Sequence, residues 1–202
     1  MMTFRSLLVI VLLALTAQLH GCAGVVSAGA GTAVLVTQDR RTTGTYVEDQ
    51  NIEAKASKAL EAHFGDDDDD KVHINVMSYN RYVLLTGEVP DEETRKQAGV
   101  TALGIENVRN VQNELVVGPV TSGSQRATDA YTTSKVTAQL LSKNEIKVNH
   151  VKVVTDNNVV YLMGLATSQE ADAATEIARS TTGVTKVVRV FEITPEITGA
   201  KQ

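Results

Sequence analysis

Two stretches of alternating apolar and polar residues recur along the chain with the same punctuation. Val72-His73-Ile74-Asn75-Val76 is followed by Tyr82-Val83-Leu84-Leu85-Thr86-Gly87, and Asn149-His150-Val151-Lys152-Val153 by Val159-Val160-Tyr161-Leu162-Met163-Gly164. The offset is 77 from His73 and His150 through to Gly87 and Gly164. Such self-similarity marks a duplicated structural unit and outranks any local reading. Upstream, Lys55 to Leu60 matches Lys135 to Leu140 at an offset of 80, so the first copy has three extra residues in its helix-to-strand loop, within the Asp66 to Asp70 run. Downstream, Gly104-Ile105 with Val108 and Val111 matches Gly183-Val184 with Val187 and Val190 at an offset of 79, which predicts a second helix two residues longer in the second copy.

Each copy reads helix, strand, strand, helix, strand. In the second, a helix is predicted from near Thr128, with Asp129 satisfying free N–H groups of its first turn and Val136 and Leu140 marking its inward stripe. Alternation over His150, Val151, Lys152 and Val153 predicts a strand with one face in the core and one in water. Asp156-Asn157-Asn158 tolerates the positive φ of a tight hairpin, so the flanking strands pair antiparallel. A helix from Ser168 to about Ser180 follows, with Gly183 left-handed after it. The last strand runs from Val187 to Thr194 and stops at Pro195. The predicted fold class is α+β: tandem domains over residues 46–118 and 128–195, each a small mixed three-stranded sheet packed on two helices. Gly118 to Ser124 carries Gly, Ser and Pro punctuation within a linker at 119–127, and residues 196–202 form a tail. Domains of about 70 residues are marginal alone and are expected to pack on each other.

The amino terminus has a different pattern. Residues 1–21 read as a secretory signal, with Arg5 ahead of the apolar run Leu7 to Leu15, which is too short to span a bilayer. It ends in Leu19-His20-Gly21-Cys22, which resembles the bacterial lipobox and implies an acylated Cys22. Such lipoproteins are held at the inner membrane by an aspartate after the cysteine. Ala23 and Gly24 stand here, and the resemblance implies outer-membrane sorting. Three acyl chains anchor stably, because each buried CH₂ contributes about 0.8 kcal/mol and one chain alone is marginal. Residues 22–45 are read as a tether; its Gly29-Ala30-Gly31 is only a weak match to a phosphate loop.

Composition narrows the chemistry. The 202 residues are 43% hydrophobic and 4% aromatic, enough for one modest domain or two very small ones. A single cysteine excludes an intramolecular disulfide and thiolate-built zinc or iron–sulfur sites. The net charge of −5 argues against nucleic acid as a partner. That charge is uneven: Tyr46 to Gly118 holds 15 acidic and 7 basic residues, net −8, and Pro119 to Gln202 holds 8 acidic and 9 basic, net +1. Only the second copy could approach an anionic bilayer without strong repulsion, and each Lys or Arg near such a surface contributes about 1 kcal/mol. Tyr131, Lys135, Ala138 and Ser142 share a stripe distinct from the Val136 and Leu140 face, with Leu141 at its edge and Lys143 further on. An aromatic and a cation one turn apart suit a headgroup layer, with a solvated helix face as the other reading.

Other signals carry less. Asp66 to Asp70 lacks the alternating ligands and Gly of a calcium loop, leaving a solvated loop or a weak divalent-cation site. Asp67 to Lys71 matches an enteropeptidase cleavage sequence, without bearing on function. His73 and His150 occupy equivalent strand positions with no ligand-spaced partner and read as structural. Glu92, Glu93, Glu170 and Asp172 fall at helix starts, where carboxylates meet the helix dipole. No hydrolase or P-loop motif appears, so the expectation is no enzyme, no cofactor and no metal.

From Arg5 to Thr194, the lipobox, the tether, the two units with Gly87 and Gly164 at strand ends and the Gly183-Val184 turn resemble the BON domain (bacterial osmotically induced and nodulation), in its dual-domain outer-membrane lipoprotein group. The resemblance implies a non-enzymatic, periplasm-facing lipoprotein that binds anionic phospholipid of the outer membrane's inner leaflet through its second domain and supports envelope integrity. The implied phospholipid-contacting residues are Tyr131, Lys135, Ala138, Leu141, Ser142 and Lys143. The alternative is a scaffold whose acidic first domain docks an outer-membrane assembly factor or a peptidoglycan-associated protein.

Overall fold

The computed structural model describes residues 39–65, 71–143 and 150–195. The signal segment, Cys22, the tether as far as residue 38, the Asp66 to Asp70 run and the tail from 196 lie outside them.

The first unit runs α1 (Thr43–Phe64), β1 (His73–Tyr79), β2 (Tyr82–Val89), α2 (Glu92–Leu103), β3 (Asn110–Asn113) and β4 (Val116–Val117). The second runs α3 (Gly123–Lys143), β5 (Val151–Asp156), β6 (Val159–Ala166), α4 (Ser168–Arg179) and β7 (Lys186–Ile193). In both, an antiparallel hairpin pairs its second strand parallel with the last: β1-β2-β3 and β5-β6-β7. The predicted α+β tandem is the observed fold. The first copy's last strand is broken: β3 and β4 both pair with β2, and between them Leu115 turns into the core, 2% exposed.

Register corrects the alignment of the copies. Arg109 N–H donates to the Arg81 carbonyl as Thr185 N–H does to Asn158, and Val108 donates to Ile105 as Val184 does to Thr181. The turn equivalent to Gly183 is thus Asn107, both at positive φ (101° and 69°), and Gly104 is helical at −74°. The offset after the second helix is 76 rather than 79, and α2 and α4 are both 12 residues long. The letters matched at glycine, but the turn needs a left-handed residue, and asparagine supplies it at small cost.

Two boundaries also shift. Helix α3 begins at Gly123, inside the predicted linker, because the Ser122 hydroxyl accepts the Gln125 N–H at 3.2 Å. Asp129 lies inside that helix instead of capping it. The tether ends earlier than residue 45: Asp39 to Arg41 pack on the folded body, and the Thr42 hydroxyl caps α1 by accepting the Thr45 N–H at 3.1 Å.

Each unit has its own core between sheet and helices. Ile52, Leu60, Val83, Leu85, Ala98 and Ala102 fill the first, and Val136, Leu140, Val160, Leu162, Ala174 and Ile177 the second. The other faces of the strands do not meet water, as the alternation had suggested. Met77, Tyr79 and Leu84 pack with Tyr161, Met163 and Leu165 in a third cluster joining the two units. Covering the second face makes β2 and β6 buried on both sides, which explains the apolar runs Tyr82–Leu85 and Val159–Met163. Around this seam, Asn80 Nδ2 donates to Glu192 Oε1 at 2.5 Å, Asn75 Nδ2 to Asp156 at 3.3 Å, and Lys152 pairs with Glu53.

Candidate functional site on the outward face of helix α3

The inward stripe of α3, Asp129, Thr132, Val136 and Leu140, is buried and fixes which side of the helix looks outward. Asp129 adds an orienting contact: its carboxylate accepts the N–H groups of Asn157 at 3.0 Å and Asn158 at 2.9 Å, where positive φ leaves both pointing at the helix. Threonine and serine hydroxyls on the helix return to carbonyls one turn back, as in Thr132 to Thr128 and Ser134 to Ala130 at 3.0 Å.

The outward side carries Tyr131, 66% exposed, and Leu141, 57% exposed. Ala138, Ser142 and Lys143 are also exposed, and Lys135 is half-buried. Lys135 Nζ lies 5.6 Å from the Tyr131 ring centroid and donates to the Thr182 carbonyl at 3.0 Å, beyond the end of α4. This fixed ammonium sits at the border of the face. Tyr131, Lys135, Ala138 and Ser142 form one stripe as predicted from their spacing. Lys143 does not join it: it lies about 120° around the axis from Tyr131, at the final residue of the helix.

Exposure adds two residues to the face. Ala127 and Ser134 are exposed and lie with Ala138 between Tyr131 and Leu141 in the helical projection, giving an uncharged strip of small residues with a large side chain on either side. Small residues carry no chemical mark, and only their spacing of seven and four could have revealed them. The equivalent positions of α1, offset by 80, include Asn51, Lys58 and Glu61, so the first copy has no such strip.

The two histidines sit elsewhere. His73 is 6% exposed, with Nε2 3.1 Å from Asn75 Nδ2 and Nδ1 3.2 Å from an Arg126 nitrogen. His150 Nδ1 lies 3.7 Å from Glu170, an acidic neighbour that sequence spacing could not reveal. Among the described residues, no group of three or more His, Cys, Asp or Glu is placed to hold a metal ion, and no helix is long and apolar enough to cross a membrane.

The BON domain model matches residues 48–119 and 128–195. The chain is 37% identical over 182 residues to outer membrane lipoprotein DolP of Haemophilus influenzae, covering 90% of this chain and 93% of that protein. It is 35% identical over 155 residues to a 21 kDa hemolysin of Actinobacillus pleuropneumoniae, covering 76% and 78%. Osmotically-inducible protein Y of Escherichia coli is 35% identical over 147 residues, covering 71% and 72%. With both units matched and the αββαβ order repeated in each, the chain belongs to the BON domain family.

Proposed function

We propose that this chain is a non-enzymatic envelope lipoprotein, acylated at Cys22 and associated with the outer membrane on its periplasmic side. Its second BON domain lays the outward face of α3 on anionic phospholipid, and this contact supports envelope integrity. The likeness to the Haemophilus lipoprotein over nearly its whole length supports the envelope setting. The observation that carries the contact is the uncharged strip between the exposed Tyr131 and Leu141, with the Lys135 ammonium held at its border.

The energetics suit a surface contact. A tyrosine buries its ring while keeping its hydroxyl wet, and a lysine near anionic headgroups adds about 1 kcal/mol. Each contribution is small, but an acyl anchor makes binding nearly intramolecular, so a weak intrinsic affinity is sufficient. Lys135 is already positioned by Thr182 and loses little freedom on meeting a phosphate.

Vesicle co-sedimentation of the chain from Ala23 onward tests this reading. The parent is expected to pellet with anionic and not zwitterionic vesicles, and Tyr131→Ala with Lys135→Glu to remain in the supernatant. Equal pelleting of parent and double variant would overturn it.

A second reading, docking of an outer-membrane assembly or peptidoglycan-associated protein through the first domain, is favoured by Val100 and Leu103 on α2. They are 65% and 53% exposed where the second copy has Glu176 and Arg179. Under that reading, charges at Val100 and Leu103 impair function while the α3 substitutions do not.

A further inference from the structure

The two residues immediately before the first domain point in opposite directions. Arg40 reaches the second domain: one guanidinium nitrogen donates to the Leu165 carbonyl at 2.8 Å and to Glu170 Oε2 at 2.7 Å, and the other to Glu170 Oε1 at 3.1 Å. Arg41 turns into the first, pairing with Asp39 at 2.7 Å and with the fully buried Asp49 at 2.9 Å. Its guanidinium also lies 3.8 Å from the centroid of the Tyr79 ring.

Leu165 and Tyr79 are both members of the apolar cluster at the seam between the domains. The Asp39–Arg41 segment therefore closes over one end of that seam and is bonded to both sides of it. Fork-to-carboxylate pairing of Arg40 with Glu170 fixes direction as well as distance, which apolar contact between two sheets does not. Elsewhere around the seam, the contacts Asn75 to Asp156, Asn80 to Glu192 and Lys152 to Glu53 come from within the two domains. Arg40 lies outside both matched domains, in the chain that leads to the amino terminus.

We infer that Asp39–Arg41 is a strap that locks the two BON domains in one arrangement, and that drawing this segment away from the body frees the seam to open. A pull on the chain ahead of residue 38 acts on these contacts before it acts on either core. The strap requires no membrane and stands whether or not α3 binds lipid.

Paired spin labels on unnatural amino acids at Lys58 and Arg179, both exposed, report the distance between the domains in the full-length chain in detergent and leave Cys22 untouched. The parent gives one narrow distance distribution. Arg40→Glu is expected to broaden it at least about two-fold and to extend it by roughly 12 Å, the reach of the short connection between β4 and α3 once slack. The charge swap, Arg40→Glu with Glu170→Arg, restores the narrow distribution. An unchanged distribution in Arg40→Glu would overturn the inference, and so would a charge swap that leaves the distribution broad. Circular dichroism of each variant establishes that both domains are folded.

Discussion

Glu170 serves two elements at once. Its carboxylate closes the capping box of α4 by accepting the Thr167 N–H at 2.8 Å, and it also pairs with Arg40, with His150 nearby. Burial alone would raise its pKa, but the Arg40 hydrogen bond and the Thr167 backbone outweigh burial and hold the carboxyl below its usual value near 4.5. A carboxyl depressed in the folded state stabilises at pH values above its unfolded pKa, and the gain is lost as pH falls through the folded one. Thermal melts should therefore lose stability below about pH 4.5, and Glu170→Gln should flatten that acid limb while leaving the profile above pH 6 level. An acid limb as steep as the parent's would refute this role. The buried phenols behave oppositely: burial first, then the Glu114, Asp156 and Glu88 charges, push Tyr161 up to about 12, so its hydroxyl at the seam stays neutral.

At the scale of elements, the recurring device is a buried helix carboxylate that grips the hairpin turn. Asp49 accepts the N–H groups of Asn80 at 2.8 Å and Arg81 at 2.7 Å, as Asp129 does those of Asn157 and Asn158. A hydrogen bond to a charged group contributes roughly 1.5–3 kcal/mol, so Asp129→Ala, which removes the acceptor for two N–H groups, should cost about 3 kcal/mol in urea unfolding. A loss under about 1 kcal/mol would mean that water replaces the carboxylate. This grip was not legible in the sequence, where Asp129 resembled a cap. The real start of α3 was written in Ser122 and Gln125, a serine followed three residues later by glutamine, but the Gly and Ser around them read as linker. The match of Lys55–Leu60 with Lys135–Leu140 stood out because the buried stripe residues within it, Ala56 and Leu60 in one copy and Val136 and Leu140 in the other, keep helical spacing. The Asn107 turn was hidden because left-handed backbone can be supplied by two residue types. In the same way, Tyr131 and Lys135 announced the outward face of α3 by their chemistry, whereas Ala127 and Ser134 could be recognised only once exposure was known.

At the scale of the molecule, the alternation put one strand face in water, whereas β2 and β6 are buried on both faces because each covers the other. That partner is a long-range fact, set by which surfaces are left after each core is filled. Removing one domain uncovers Tyr161, Met163 and Leu165 on the other, which are 5%, 1% and 9% exposed in the joined chain. Contiguous apolar surface of this kind drives association. The second domain expressed alone, residues 119–195, should sediment as self-associated species at concentrations where Tyr161→Lys keeps it monomeric. A monomeric unsubstituted fragment would refute the role of the seam. Duplication usually yields interchangeable cassettes, each free to be shuffled into new chains. These two have surrendered that freedom: each has become the other's missing wall, so a graft of either half into a foreign protein would have to carry its opposite number along.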